Sequence, residues 1–148
     1  MDGLSADIIF IQAIERNSGI MRQIGERLYP TAIACPDEEL DNTPVPYVIV
    51  ANNGMENDVE CKDSSYESSY DNVKISIEVT ADSREALADL TSDIRQAVKD
   101  YVTSLAGAKG FPLTDYKFSA AAVQYDGQKP CYWQVLNYQC EVYNQEES

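Results

Sequence analysis

Histidine is absent from this 148-residue chain. The commonest general base, the most frequent metal ligand and every Ser-His or Cys-His nucleophile arrangement go with it, so an enzyme here would have to work through carboxylates or lysine. Cations are scarce as well: eleven Lys and Arg stand against twenty-five Asp and Glu, a formal net charge of −14. Duplex binding needs cationic groups to neutralise phosphates, and so acidic a chain is expected to repel DNA. Solubility is the plain use of such charge; a negative wall past which a polyanion slides without sticking is the other. No stretch approaches the ~18 apolar residues of a membrane span. Asp2, Asp7, Glu15 and Arg16 interrupt the start where a signal peptide needs a continuous apolar run, so a soluble protein made in the cytosol is expected. Cys35, Cys61, Cys131 and Cys140 never form a C-x-x-C pair. In a reducing compartment they read as small apolar fillers rather than a zinc or redox site. No repeat recurs at a fixed period.

What is present is a strand pattern that passes within one turn into a helix pattern. Val73, Ile75, Ile77 and Val79 alternate with Lys74, Ser76, Glu78 and Thr80, the period of a sheet with one wet face. From Leu87 the apolar residues Leu90, Ile94, Ala97, Val98, Tyr101, Val102 and Leu105 follow at spacings of three and four, one stripe of an amphipathic helix. Between them Asp82 and Glu85 stand as a capping pair. Upstream, Leu4 to Ile14 carries a broad apolar surface of helical type, Asn17-Ser18-Gly19 reads as its stop, and Ile20, Ile24 and Leu28 suggest a second short helix ending before Tyr29-Pro30. Cys35 to Pro46 reads as an exposed connection. Tyr47 to Ala51 is a compact strand with a turn behind it at Asn52-Asn53-Gly54. Residues 54–71 are expected to form a projecting loop or hairpin, possessing the length of a functional segment. Two closing strands, Tyr116 to Tyr125 and Tyr132 to Tyr143, flank the hairpin signal Asp126-Gly127.

The chain is long enough to bury roughly 70% of its unfolded surface as one domain. Residues 1–148 are accordingly expected as a single α+β domain, a mainly antiparallel sheet of about four to five strands with two main helices packed on one face.

The chemical candidates are thin. Glu56, Asp58, Glu60 and Asp63 lack the spacing of a calcium loop and read as solvated surface. Gly107, Lys109 and Gly110 lack the phosphate-loop spacing, and Pro112 removes a donor beside them; a plain turn is expected. No catalytic, cofactor or metal residue is assigned. The stronger signal is for protein contact. The last strand carries aromatics on both faces, Tyr132 and Tyr138 on one and Trp133, Val135 and Tyr143 on the other. Tyr and Trp suit interfaces because they combine area with a polar tip. With Tyr66 and Tyr70 from the long loop, these seven residues form the candidate subunit interface.

The order of elements resembles the tail terminator (tail completion) proteins of long-tailed bacteriophages. The likeness is carried by the amino-terminal helix leading to Arg27-Leu28-Tyr29-Pro30 and by the proline-led strand Pro46-Tyr47-Val48-Ile49-Val50. It continues in the strand Val73 to Thr80 running through Ala81-Asp82-Ser83 into the long helix, and in two closing strands between Tyr125 and Tyr143. The resemblance implies a virion structural protein without enzymatic activity. Such a protein forms a homo-oligomeric ring, expected as a hexamer, at the head-proximal end of the tail tube. There it ends tube polymerisation and offers the head-joining surface, after assembly in the host cytoplasm. The implied partners are other copies of itself, the tail tube protein and a head or neck connector protein, with DNA passing through the pore without specific binding and no membrane involved. Another neck or head–tail connector component is the nearest alternative. A protein-binding adaptor acting by strand addition and a carboxylate-based metal hydrolase are further readings.

Overall fold

The computed structural model describes residues 3–30, 44–58, 70–108 and 113–143. A 3-10 turn, Gly3–Ser5, leads into α1 (Asp7–Glu15) and α2 (Ser18–Ile24). The short strand β1 (Leu28–Tyr29) and the long strands β2 (Tyr47–Asp58) and β3 (Tyr70–Ala81) follow. After them come α3 (Arg84–Leu105), β4 (Leu113–Ala120), β5 (Gln124–Asp126) and β6 (Cys131–Tyr143). The six strands form one sheet in the order β1-β2-β3-β6-β4, with β5 also paired to β6. Only β1 runs parallel to its neighbour; every other pairing is antiparallel. The fold is α+β, as the patterning predicts, with two main helices, α1 and α3, and the short α2 among the described residues.

β3 buries Val73, Ile75, Ile77 and Val79 on one face, and α3 lays Leu87, Leu90, Ile94, Ala97 and Val98 against that face. Each such large aliphatic side chain stabilises the fold by roughly 1.5–3 kcal/mol through removal from water. The helix starts one residue later than the sequence suggests. Ser83, in an extended conformation, is the cap, and its Oγ accepts from the Ala86 N–H at 3.1 Å while Asp82 remains outside. A serine hydroxyl satisfies the same free donor that the Asp82 carboxylate was expected to take.

Three other local expectations are corrected by tertiary pairing. α1 does stop just before Asn17, as expected, but Asn17 is extended and caps α2, its Oδ1 accepting from Ile20 N, and the left-handed glycine here is Gly25 (φ 56), which closes α2, not Gly19. Leu28 leaves the helix and enters β1 beside Val48, because the edge of β2 offers its backbone groups a ladder. Asn52-Asn53-Gly54 is a bulge inside β2 rather than a turn after it. Gly54 (φ 119) donates its N–H to Asn52 Oδ1, and pairing resumes from Met55 to Asp58, opposite Val73 to Tyr70. β2 and β3 take up both ends of the loop expected at residues 54–71, and the rest of it lies outside the described residues. The strand expected over Tyr116 to Tyr125 is interrupted at residues 121–123, splitting into β4 and β5.

The amino terminus is fixed tightly to the sheet. Gly3 N donates to the buried Asp71 carboxylate at 2.9 Å, and Asn52 Nδ2 donates to Gly3 O at 3.0 Å. A Cβ at Gly3 would meet Asp71, Met55 and Val73 at 2.7–2.8 Å, so only glycine fits this approach. α1 leaves that anchor along the sheet, burying Ile9, Phe10, Ala13 and Ile14.

Candidate functional site

β6 lies inside the sheet, between β3 on one side and β4 and β5 on the other. Its backbone ladder is occupied, so it cannot itself recruit a neighbouring strand. The candidate interface residues divide among different places. Tyr138 is a core residue, 2% exposed, ringed by Phe10, Tyr116 and Phe118 at centroid distances of 4.9, 5.6 and 5.1 Å. As a surface contact residue it is corrected: the pleat turns it under the helices with Leu136, Cys140 and Val142. Tyr132, half-buried, stands near one end of β6 against the Tyr125 ring at 4.9 Å. Tyr143 and Tyr70 pair across β6 and β3 at the opposite end, their rings 5.2 Å apart. Trp133 and Val135 are half-buried on the open face of the sheet. Tyr66 lies outside the described residues. The structure thus brings together Tyr70 with Tyr143 and Trp133 with Val135, and does not make one patch of the six described residues.

The open face is polar where β3, β6 and β4 run side by side. Lys74, Gln139 and Lys117 form one row across the three strands, and Ser76, Asn137 and Ser119 the next. Farther along, Glu78 sits between Ile49 and Val135, and burial raises its carboxyl above the ordinary value of 4.5. The protonated form is favoured in the fold relative to the unfolded chain. This contribution is fully present below pH 4.5 and is lost as pH rises through the raised folded value. Glu78→Gln is therefore expected to melt higher than wild type at pH 7 and level with it near pH 4. Parallel thermal melts check this, and equal differences at both pH values would refute it.

Cys131 and Cys140 are both buried free thiols. Burial pushes Cys140 up to about 12, and burial together with the nearby Asp126 charge raises Cys131. Both are thiols rather than thiolates at neutral pH, which removes the nucleophilic form. Cys35 and Cys61 lie outside the described residues, as do Glu60 and Asp63. Among the described residues no three Cys, Asp or Glu gather closely enough to hold a metal ion.

One feature escapes the sequence reading. β4 is an edge strand, and the helix layer stops short of it. Between α3 and β4 lies a cleft of about 440 Å³ lined by Arg95, Gln96, Lys99, Tyr116, Phe118 and Tyr138. The Arg95 guanidinium rests 4.2 Å from the Phe118 ring centroid, a cation–π contact. Tyr138 reaches the cleft from below. Its hydroxyl is the one buried side-chain polar atom without a hydrogen-bond partner among the described residues. Burial raises its ionisation far beyond the usual range, with the neighbouring Tyr116 adding to the shift and Arg95 opposing it. The available signal was the alternation of Tyr116 and Phe118 with Lys117 and Ser119 beside a helix carrying Arg95 and Lys99 four apart. What the sequence withheld was that, among the described residues, α3 leaves a cleft beside β4 on that face.

No protein-family model and no curated protein matches the sequence. Solved structures do match in fold. A chain from the virion of a native gene transfer agent particle superposes with a TM-score of 0.54 at 14% identity, over 93% of each chain. The gp17 protein of bacteriophage SPP1 superposes with a TM-score of 0.55 at 17% identity, over 98% of this chain and 94% of that one. The shared fold extends essentially end to end in both cases.

Proposed function

We propose that this chain is a structural protein of a phage-type particle, a tail terminator that assembles as a ring, expected as a hexamer, on the head-proximal end of a completed tail tube. The observation that carries the reading is the end-to-end likeness of fold, with near-complete coverage in both directions, to a gene transfer agent virion chain and to a bacteriophage SPP1 protein. An arrangement of elements shared at this length fits the same kind of module. The ring, its position and the closure of the tube come from the resemblance of element order described above. Two structural features suit them. β4 leaves one edge of the sheet open, and β2 past Ile49 has no strand beside it on its outer side among the described residues. Open edges on opposite sides of one sheet are what head-to-tail association can satisfy. The mechanism is then steric. Bound copies occupy the growing end of the tube and present their outer surface to a head or neck connector protein, while the acidic charge lets DNA pass without adhering.

Net charge of −14 on every copy opposes closure at long range, and that repulsion is screened by salt. Self-association is accordingly expected to strengthen between about 20 mM and 500 mM salt, or on addition of tail tubes, where the Debye length falls from ~20 Å to ~4 Å. Sedimentation velocity reads the size and electron microscopy the ring. A chain that stays monomeric at every salt concentration, with and without tubes, overturns the proposal. A ring located elsewhere in the neck would instead favour the connector-component alternative.

A further inference from the structure

We propose that the cleft between α3 and β4 is one half of a head-to-tail contact and receives the outward ridge of helix α1 from a second copy of this chain. The inference rests on the ring-forming reading above and deepens it by naming the two surfaces.

The ridge is visible in the exposure of the 3-10 turn Gly3–Ser5 and of α1 after it. Leu4 is 71% and Ile8 41% exposed, two of only three large hydrophobic side chains so exposed among the described residues. Leu4, Ile8, Ile11 and Glu15 follow at spacings of four, three and four, with Leu4, Ile8 and Glu15 exposed and Ile11 half-buried against the core between them. The line is three apolar residues closed by a carboxylate. It is also held in place before any partner arrives, since Gly3 is fastened to Asp71 and Asn52 at the start of the helix.

The cleft has the complementary character. Its wall offers the half-buried rings of Tyr116 and Phe118, and its rim carries Arg95 and Lys99. In a chain with more than twice as many acids as bases, a cleft rimmed by two cations matches an acidic partner, and another copy of the chain is one. The partner's Leu4 and Ile8 would cover the rings. The partner's Glu15 would face Arg95 and Lys99. Ridge and cleft are different surfaces of one chain, so the contact is heterologous. Repetition of such a contact closes into a ring when the rotation per step divides a full turn.

The test uses the full chain at a salt concentration where the wild type assembles. Arg95→Glu and Glu15→Arg, at exposed positions, are each expected to weaken self-association about tenfold or more, as measured by sedimentation velocity, because each sets like charges against each other in the contact. Their melting temperatures should stay within a few degrees of wild type, which separates assembly from folding. The double variant Arg95→Glu with Glu15→Arg restores the opposite charges and should recover most of the lost association; neither change made alone can do so. Ile8→Asp should weaken assembly without rescue. Single variants that assemble like wild type, or a double variant no better than the singles, overturn the cleft while rings still seen by electron microscopy leave the ring reading standing. A wild type that never assembles overturns both.

Discussion

Phe10→Ala is expected to lower the unfolding free energy by about 3–5 kcal/mol, the range for emptying an aromatic site in a packed core. Phe10 is fully buried, and its ring lies 4.9 Å from the Tyr138 ring, inclined at 50°. The substitution removes the side chain that joins α1 to the aromatic cluster of β6 and β4, leaving a cavity between elements far apart in sequence. Surrounding atoms belong to a sheet and two helices, which limits how far the site can collapse. For a domain of this length the loss corresponds to a fall in melting temperature on the order of 10 °C. Urea denaturation measures it, with Phe10→Leu as a milder comparison expected to cost about 1.5 kcal/mol or less. A loss below about 1 kcal/mol for alanine would mean that α1 does not dock where Phe10 places it, given the cost of truncating any buried ring.

Asp71→Ala is expected to cost about 3 kcal/mol, since hydrogen bonds to a charged group contribute roughly 1.5–3 kcal/mol each and their loss leaves donors unsatisfied. Asp71 is fully buried on β3. One carboxylate oxygen accepts from Gly3 N at 2.9 Å and the other from Asn57 Nδ2 at 2.8 Å. These contacts fasten the amino-terminal turn and the far end of β2 to the same residue. Removing them should release the turn before the rest of the domain unfolds, so the Gly3 amide should lose protection from hydrogen exchange while amides in the middle of β3 keep theirs. Asp71→Asn, which retains one acceptor oxygen, should fall between alanine and wild type. Wild-type stability in both variants would mean that the anchor contributes nothing. Because the anchor also presents Leu4 and Ile8, Asp71→Ala should weaken self-association as well, through the placement of α1 rather than through any contact of its own.

The strand from Val73 to Val79 and the helix from Leu87 to Val98 were legible because their periodicities report which residues the core takes. The same logic located α1 and the first part of β2, Tyr47 to Ala51. It failed where one part of the chain answers another. Asn52-Asn53-Gly54 has the local chemistry of a turn, yet opposite Ile75 and Val73 it becomes a bulge in a continuing strand. Leu28 fits a helical spacing, but the ladder of β2 claims it for the sheet. Composition proposed the aromatic residues of β6 as a surface, and the sheet order decided otherwise for Tyr138. A strand with two neighbours offers only its faces, and the α1–α3 layer covers the face to which Tyr138 points.

Two properties belong to the sequence alone. The absence of histidine and the excess of twenty-five acids over eleven bases are fixed whatever the fold, and they narrow the chemistry and set the long-range field. The alternation and the amphipathic stripe likewise dictate an α+β domain, because each element must bury the face on which its apolar residues recur. The location of an unfilled place was decided only in three dimensions. Tyr116 and Phe118 alternate like any half-buried strand, Arg95 and Lys99 decorate a helix like any solvated pair, and nothing local says that a cleft separates them. The cleft lies between α3 and the β4 side of the sheet, a relation between layers that no single segment encodes.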